Sequence, residues 1–557
     1  MKAVICTEGR TPSLFREAPP AGALAHIRAL AGVGVELAVT GIGPVPAMRT
    51  LARWLLPLFA LLVQACTSLA PRAPLPYEAT LPDARDSPLG RLAQQVPAAG
   101  LSGFRLLPDG AFALDARLVL AQRAERTLDL QYYLFRCDAI GLAVLQALAQ
   151  AAERGVRVRL LVDDLHVDDD DARFAAFAAH PNVQVRLFNP LPARGGGVLS
   201  RLVRSLPELR RINHRMHNKL FIADDSLSVS GGRNIGREYF MQDADANFID
   251  MDILALGPVV REQSASFDRY WNSEHAYPIG ALARTAPAAP LPAGPAALPD
   301  PGHAQDALGR ARLSQELAAG PLDLIWAPGR VVADLPDKIA RPESAQRFAD
   351  SVTEHTLDLV RGAQRRVLII CPYFIPGKVG LDIMRDAQRR QVRTTLLTNA
   401  LGATDEALVH FAYAGYRREV LRLGVEVYEL GPDIARRLRK LGNFGRSQGR
   451  LHAKMAIVDE TQMFIGSMNM DERSASVNTE VGLLIDSPAL VRDFRRLMDG
   501  EHFRSAYRLR LGENDRLQWI DRDDDGREEV LDAEPGLHPW LRLKRWLLTP
   551  IVPEDLL

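Results

Sequence analysis

The sequence predicts an α/β protein with two tandem domains, each a mixed β-sheet flanked by helices, and one site shared between them. Three observations support this fold class. A strand–helix–strand pattern occurs twice, each copy is followed by the same histidine–lysine motif, and a chain of 557 residues is too long for one ordinary core. The motif histidines, His217 and His452, lie 235 residues apart, so the repeated unit has the size of a domain.

The two copies have the same order of elements. In the first, the apolar and aromatic run TLDLQYYLF has strand character, GLAVLQALAQAAERG has helix character, and VRVRLLVDD is a second strand. In the second, RRVLIICPYFIPG is followed by VGLDIMRDAQRRQ and then by VRTTLLTNA. A strand, a helix and a strand in this order are typical of a parallel-sheet unit.

A signal-like segment precedes the first copy. Residues 48–66 read MRTLARWLLPLFALLVQAC, which places two arginines before an apolar run, small residues and a cysteine. The ending VQAC is similar to the lipobox of bacterial lipoproteins. We therefore expect residues 1–47 to be a mis-extended start and 48–65 to be a lipoprotein signal peptide, with Cys66 as the lipidated first residue of the mature chain. A buried helix is the alternative for the apolar run.

The remaining boundaries follow from composition. Residues 280–307 are rich in alanine and proline and have no periodicity, which is typical of a linker. The tail contains LQWIDRDDDGREEVL, which predicts a hairpin, and PWLRLKRWLLTPIVP, which is similar to a helix lying on a membrane surface. A helix that packs on a domain is the alternative. The predicted segments are a lead at 66–94, domain 1 at 95–279, a linker at 280–340, domain 2 at 341–510, and a hairpin with a membrane-proximal helix at 511–557.

Charge and cysteine content argue against two classes of protein. The 68 basic and 68 acidic residues give a formal net charge of zero, so no global field marks a nucleic-acid binder, and we expect no nucleic-acid partner. The four cysteines have no CxxC spacing, which argues against a zinc site and a disulfide framework. No cluster of metal ligands accompanies the histidine–lysine motifs. We therefore expect neither a metal nor a cofactor.

Each copy carries a histidine and a lysine two residues apart. RMHNKLFIAD contains His217 and Lys219, and RLHAKMAIVD contains His452 and Lys454. In a β-strand such residues project from the same face, so both side chains of a pair reach one site. Lysine is otherwise rare, with seven lysines against 61 arginines. The aspartates that end the motifs are interpreted as supporting residues and not as the acid or base: Asp224 and Asp459.

A second matched pattern follows each motif. The segments are GGRN, with Gly232 and Asn234, and GSMN, with Ser467 and Asn469. A small residue lets the backbone approach a ligand closely, and an asparagine amide donates a hydrogen bond to an anion. We therefore predict that these four residues bind substrate.

Two histidines, two lysines and two asparagines form one cationic site if the halves face each other. Such a site suits a phosphodiester, because ammonium groups and amides stabilise the charge that spreads over the phosphoryl oxygens. One histidine can attack phosphorus, while the other protonates the leaving alcohol and then deprotonates the incoming one. Carboxylates after each motif are predicted to orient the rings: Asp252 in FIDMDI and Glu480 in NTEVGLLI.

These motifs resemble the phospholipase D superfamily, whose HxK(x)4D motif occurs twice in one chain. The resemblance extends over residues 95–557 and includes RGVRVRLLVDD, RRINHRMHNK, GGRNIGREYF, LLTNALGATDEALVHFAYAGYRR and IGSMNMDERSASVNTEVGLLI. Within this superfamily the sequence is similar to the bacterial cardiolipin synthases of the C type. The resemblance implies two facing phospholipase D-like domains, histidine roles for His217 and His452, and phosphate binding by the lysines and asparagines named above.

The resemblance also implies an activity and a location. The activity would be transfer of a phosphatidyl group to the glycerol headgroup of phosphatidylglycerol, with phosphatidylglycerol or phosphatidylethanolamine as partners and the membrane surface as the site of action. The lipobox-like start predicts a lipid anchor at the periplasmic side of the envelope, whereas the family implies peripheral attachment to the inner membrane. Two other functions stay open: a hydrolase of the same superfamily, either a lipase or a nuclease, and a lipid-anchored scaffold with a relic site.

Overall fold

The computed structural model describes residues 69, 72–80, 86–167, 170–282, 302–340, 349–431, 447–498, 506–522 and 526–536. All of them belong to one compact unit, Cys66–Leu557. The predicted signal peptide, Cys66 itself and the predicted membrane-proximal helix lie outside the described residues. Across the described ranges, none of the helices combines the length and the apolar character that crossing a membrane requires.

Nine strands occur among the described residues of the first half, and they differ in length from three to seven residues. They are β1 Leu101–Leu107, β2 Thr127–Tyr132, β3 Arg157–Asp163, β4 Val183–Phe188, β5 Leu220–Ala223, β6 Leu227–Gly231, β7 Ala246–Ile249, β8 Asp252–Leu256 and β9 Ala276–Pro278. The α-helices described in this half are α1 Pro88–Ala93, α2 Gly110–Arg123, α3 Ala139–Glu153, α4 Asp171–Phe177, α5 Gly197–Arg204, α6 Leu209–Asn213, α7 Pro258–Asn272 and α8 Ile279–Leu282.

The second half repeats this order. Its strands are β10 Ile325–Ala333, β11 Arg366–Ile370, β12 Arg393–Asn399, β13 Glu426–Leu430, β14 Gln448–Leu451, β15 Met455–Val458, β16 Gln462–Gly466, β17 Val481–Asp486, β18 Tyr507–Leu511, β19 Leu517–Arg522 and β20 Glu528–Leu531. Its described α-helices are α9 Leu313–Ala319, α10 Val352–Arg361, α11 Gly377–Arg389, α12 Ala407–Arg422, α13 Glu472–Ser476 and α14 Pro488–Met498.

The strand order is the same in the two sheets. The first sheet runs β1–β8–β6–β5–β2–β3–β4–β9, and the second runs β10–β17–β16–β15–β11–β12–β13–β18–β19–β20. In each sheet the two strands of the strand–helix–strand unit and the strand after them are parallel, and their other neighbours are antiparallel. The two mixed α/β domains predicted from the repeat are therefore confirmed. In the tail, β19 and β20 pair in antiparallel fashion.

The predicted linker at 280–340 contains regular structure, which corrects that prediction in part. Its described portion includes α9 and β10. The first residues of β10, Ile325–Pro328, pair with β1, and the following residues, Gly329–Ala333, pair with β17. One strand thus belongs to both sheets. The alanine- and proline-rich composition does not extend into this stretch, where DLIWAPGRVVAD supplies apolar residues for pairing.

Three apolar clusters hold the unit together. One lies within the first half and one within the second. The third contains buried side chains from both sheets, including Ile253 of β8 and Leu483 of β17, neither of which is exposed to solvent. Burial of such side chains stabilises the fold by roughly 1.5–3 kcal/mol each. The two halves are therefore joined by a shared core as well as a shared strand.

Candidate active site

Both histidine–lysine segments lie where the two halves meet. They are extended but stand just before β5 and β15 rather than within strands, which corrects the prediction that they form part of a strand. The His217 backbone N–H donates to the Thr479 carbonyl at 2.9 Å, and the His452 N–H donates to the Ile249 carbonyl at 2.7 Å. In addition, β7 and β14 pair in parallel across the two halves. Each motif is thus positioned by the backbone of the other half.

His217 is oriented by a carboxylate from the second half. Its Nδ1 lies 2.9 Å from Oε2 of Glu480 and 3.1 Å from Oε1. The Tyr133 ring packs edge-on against the imidazole, with ring centroids 4.9 Å apart. Glu480 itself accepts a hydrogen bond from the Ser467 hydroxyl. The geometry therefore places Glu480 where the sequence analysis predicted an orienting carboxylate.

His452 is oriented by a carboxylate from the first half, and this residue is Asp250. The distance from His452 Nδ1 to Asp250 Oδ2 is 2.6 Å. The rings of Phe248 and Tyr239 lie against the imidazole, with centroids 4.8 Å and 5.3 Å away. Because both Nδ1 atoms are occupied by carboxylates, Nε2 is the ring nitrogen of each histidine that is available to a substrate.

Asp252 does not contact either histidine, so its predicted orienting role is wrong. Its carboxylate lies 2.9 Å from the Arg117 guanidinium and 3.4 Å from that of Arg233, and the side chain is fully buried. Strand register explains the difference: Gly231 faces Asp252 in the first sheet, whereas Gly466 faces Gly482 in the second. The residue that corresponds to Glu480 is therefore two positions before Asp252.

The two lysines are buried beside the histidines. Lys219 Nζ donates to the His217 carbonyl at 2.6 Å, and Lys454 Nζ donates to the His452 carbonyl at 2.5 Å. Each ammonium also lies near an aromatic ring. For Lys219, the distance from Nζ to the centroid of the Tyr133 ring is 5.3 Å. Burial lowers the pKa of both lysines below the ordinary value. An anionic substrate would reverse this effect by favouring the charged form.

The motif aspartates face away from the histidines and hold hairpin turns. Asp224 accepts hydrogen bonds from the N–H groups of residues 125–127, and Asp459 accepts from those of residues 364–366. Both have positive φ, 51° and 52°, at the β5–β6 and β15–β16 turns. They fasten each hairpin to the strand beside it. Both aspartates therefore stabilise the fold around the site and do not reach the histidines.

The four residues of the second pattern separate into two kinds. Asn469 lines the cavity between the halves, and its side-chain Oδ1 is buried without a hydrogen-bond partner among the described residues. Asn234 also lines it, but it already accepts from the Leu134 N–H and donates to the Tyr239 hydroxyl. The two small residues lie behind the orienting carboxylates and are not placed to bind substrate: Gly232 and Ser467.

The orienting carboxylates restrict the size of the residue at the second position of each pattern. A Cβ atom at Gly232 would lie 2.2 Å from Oδ1 of Asp250, which no side chain could tolerate. In the second half the matching position is Ser467, whose hydroxyl donates to Glu480 and accepts from the Val481 N–H at 3.0 Å. The pattern therefore supports the orienting carboxylates, and Asn469 keeps the substrate-facing position.

A cavity of about 720 Å³ lies over the two histidines. Residues of both halves line it, and its other titratable lining residues are mixed in charge. The acidic ones are Glu238, Asp243, Asp245, Asp405, Glu406 and Asp471, and the basic ones are Arg136, Arg450 and Arg473, with His166. The excess of carboxylates argues against a groove for a nucleic-acid backbone, which requires clustered positive charge.

The two orienting carboxylates have different proton affinities. Burial raises the pKa of Glu480 to about 7, against the lowering effect of Lys219. Burial would also raise the pKa of Asp250, but the charge and hydrogen bond of His452 outweigh it and lower that pKa to about 2. Burial, together with Lys219 and Lys454, lowers the pKa of His217 well below its ordinary value. Burial and Lys454 also lower the pKa of His452, but the charge and hydrogen bond of Asp250 oppose this effect. The pair His452–Asp250 is thus better suited than His217 to carry an imidazolium.

Sequence reasoning missed three kinds of residue at this site. Asp250 was available as a candidate, because FIDMDI contains two carboxylates two positions apart, and strand alternation places both on one face. The aromatic residues Tyr133 and Phe248 carry no motif signal. Asp471, which caps α13 and lines the cavity, could have been found as the residue two positions after Asn469 and before a short helix.

Comparison with known proteins gives the same family from independent evidence. The family model described as "Cardiolipin synthase, PLD-like domain" matches residues 118–271 and 356–501. Cardiolipin synthase C of Escherichia coli (strain K12) is 36% identical over 472 residues, which cover 82% of this chain and 97% of that protein. Cardiolipin synthase A of Pseudomonas fluorescens is 26% identical over 416 residues, which cover 74% of this chain and 70% of that protein.

A solved structure has the same fold. The phosphatidylserine synthase of Haemophilus influenzae Rd KW20 superimposes with a TM-score of 0.52 at 13% identity, and the match covers 83% of this chain and 96% of that one. The duplicated sheet, the paired histidine–lysine motifs and the family match agree. The chain therefore belongs to the cardiolipin synthase family, whose members are enzymes of the phospholipase D phosphatidyltransferase type.

Proposed function

We propose that this protein makes cardiolipin by transferring a phosphatidyl group to the glycerol headgroup of phosphatidylglycerol, through a covalent phosphohistidine. One observation carries the proposal: each histidine meets the cavity with its Nδ1 bonded to a carboxylate of the other half. This arrangement leaves two Nε2 atoms for one phosphodiester, one to attack and one to transfer a proton. The pairing supports a two-step mechanism on a single phosphorus atom.

In the first step His217 acts as the nucleophile. Its neutral Nε2 attacks phosphorus, and the bond between phosphorus and the headgroup oxygen of the donor breaks. The protonated His452 donates its proton to that oxygen, so the headgroup leaves as a neutral alcohol. The ionised Asp250 stabilises the imidazolium before the transfer, and Glu480 holds the His217 ring in position.

In the second step the acceptor alcohol releases the enzyme. A glycerol hydroxyl of phosphatidylglycerol loses its proton to the neutral His452 and attacks phosphorus, and the bond between phosphorus and His217 breaks. During both steps Lys219, Lys454 and Asn469 can hold the phosphoryl oxygens, since two buried ammonium groups and an amide provide fixed stabilisation of developing charge. No metal or cofactor takes part in either step of this proposal.

The donor lipid is proposed from the cavity lining. Carboxylates such as Glu238, Asp405 and Glu406 favour a headgroup that is neutral or carries an ammonium group. Phosphatidylglycerol and phosphatidylethanolamine both meet this requirement. We propose that the enzyme works at the membrane surface, anchored by a lipid on Cys66 at the periplasmic side, with peripheral attachment to the inner membrane as the alternative.

One experiment tests the reaction. Purified protein is incubated with labelled phosphatidylglycerol, with and without phosphatidylethanolamine, and the lipid products are identified. Cardiolipin is the expected product, whereas phosphatidic acid as the main product would show a hydrolase. Rapid quenching of the wild type, His217→Ala and His452→Ala then locates the adduct. We expect a phosphatidyl adduct to persist on His452→Ala, and its appearance on His217→Ala would reverse the two roles.

A further inference from the structure

A second cavity, apolar and about 210 Å³ in volume, lies in the second half of the fold. The helices α10, α11 and α13 bound it. Its walls include Val360, Phe374, Met384, Met468 and Ala475, and all five side chains are buried. None of them touches the histidines, and the reaction proposed above assigns them no role.

This apolar cavity is adjacent to the cavity over the histidines. Asn469 and Asp471 line both, so the two spaces meet at these residues. On its other side the apolar cavity reaches the surface, where Lys378 is 93% exposed in its side chain and Val379 is 41% exposed. A molecule whose phosphate lies at the histidines could therefore place an apolar chain in this second space.

In the first half, larger side chains occupy two of the positions that match the walls of this cavity. The 235-residue offset between the two motifs places Phe240 opposite Ala475, and Arg233 opposite Met468. Phe240 is 1% exposed and packs under the Arg117 guanidinium, 5.4 Å from its ring centroid, while Arg233 donates to backbone carbonyls. The apolar cavity is thus a property of the second half and not of the repeated fold.

We infer that this apolar cavity binds an acyl chain of the phospholipid substrate; the inference rests on the proposed function. Apolar walls with three methionines, Met384, Met468 and Met470, fit a flexible hydrocarbon chain, since methionine adapts its shape to what it contacts. Each methylene group moved from water into such surroundings strengthens binding roughly fourfold. The phosphate would lie between the two halves, while the chain extends past Asp471 toward α10 and α11.

The substitution Ala475→Phe tests the inference, because it places in the second half the same large side chain that Phe240 provides in the first half. We expect kcat/KM for long-chain phosphatidylglycerol to fall by at least about tenfold, which corresponds to losing burial of about two methylene groups. Hydrolysis of bis(p-nitrophenyl) phosphate, which has no acyl chain, should change less than about twofold. Equal slowing of both substrates, or no change in either, would overturn the inference.

A second variant keeps the test decisive if Ala475→Phe fails to fold. Val379→Asp places a charge at the surface opening, and we expect it to slow transfer from the long-chain lipid selectively. Its matched control is Val530→Asp in β20, where the valine is 42% exposed compared with 41% for Val379. An equal effect of the two substitutions on the lipid reaction would contradict a chain-binding role for this opening.

A photochemical experiment separates failure of the inference from failure of the proposed function. Phosphatidylglycerol with a diazirine near the end of one acyl chain is irradiated with the wild type and with His217→Ala, and labelled peptides are mapped. Labelling of residues 352–361, 377–389 and 468–476 supports the inference, even if the wild type makes no cardiolipin and the proposed function fails. Cardiolipin synthesis with labelling confined to other segments would overturn the inference and leave the proposed function intact.

Discussion

Replacing Asp250 with asparagine should slow the proton-transfer step without weakening the fold. The asparagine keeps the size of the side chain and one acceptor oxygen, but it removes the negative charge that lies 2.6 Å from His452 Nδ1. An imidazolium at His452 then loses its partner. A hydrogen bond to a charged group contributes about 1.5–3 kcal/mol, and losing that much in the transition state slows a reaction about 10- to 150-fold.

The leaving group of the donor makes this prediction specific. If His452 protonates the leaving oxygen, Asp250→Asn should slow transfer from phosphatidylglycerol by the full factor, because glycerol is a poor leaving group. A phosphatidyl ester of p-nitrophenol needs no proton to leave, so its first step should slow less than about threefold. The assay is single-turnover adduct formation with each donor. Equal slowing with both donors would refute the assignment of His452 as the acid.

Asp252→Asn is the matched control, two residues away. Asp252 pairs with Arg117 at 2.9 Å and with Arg233 at 3.4 Å, and all three side chains are buried. Removing its charge should lower the free energy of unfolding by about 3–5 kcal/mol, because buried guanidinium groups lose their partner. The folded fraction should keep its rate within about threefold of wild type. The reverse result, a stable Asp252→Asn with lost activity, would restore the role predicted from the sequence.

Three further predictions concern other groups. Lys454→Arg should lower the transfer rate at least about a hundredfold, because a planar guanidinium does not fit a buried ammonium site. A variant that keeps more than a third of the wild-type rate would contradict the prediction. Burial raises the pKa of Glu480 from 4.5 to about 7. Between these pH values the native state therefore binds a proton that the unfolded state has released. The free energy of unfolding falls as the pH rises from 4.5 to about 7. Glu480→Gln should remove this dependence and raise the free energy of unfolding above pH 7 by about 1–3 kcal/mol while abolishing most activity; unfolding curves at pH 5 and 8 test it, and unchanged pH dependence would contradict it. Finally, the mature chain should begin at a lipidated Cys66, and an intact mass that includes residues 48–65 would disprove this.

Much of the fold follows from local signals in the sequence. The strand at Thr127–Tyr132, the helix at Ala139–Glu153 and their counterparts in the second half were predictable because periodicity and turn residues are local. The pairing of His217 with His452 was predictable because the same motif occurs twice. Each half supplies only one of the two histidines of the site, so the repeated motif implies that the two halves face each other.

Long-range choices were not predictable in the same way. Asp250 and Asp252 lie on the same face of an extended segment, and only the register of β6 with β8 decides which one meets His452. Lys338 appears exposed in the polar segment DLPDKIA, yet it is buried, pairs with Asp334 at 2.7 Å and donates to the Ser474 carbonyl. A substitution of Lys338 would therefore not serve as a neutral control for a substitution of Lys454. Such contacts join residues distant in sequence, and no local pattern encodes them.

The strand shared by both sheets determines how a lipid can reach the histidines. The first residues of β10 pair with β1, and its remaining residues pair with β17. Main-chain hydrogen bonds therefore continue from the sheet of one half into the sheet of the other. Swinging the halves apart would break the pairing of β7 with β14 and would separate both histidines from their carboxylates. Substrate must therefore enter, and product must leave, through the opening of the cavity over the histidines while the halves stay closed. An enzyme built in this way presents a fixed opening to its substrate and does not close around it.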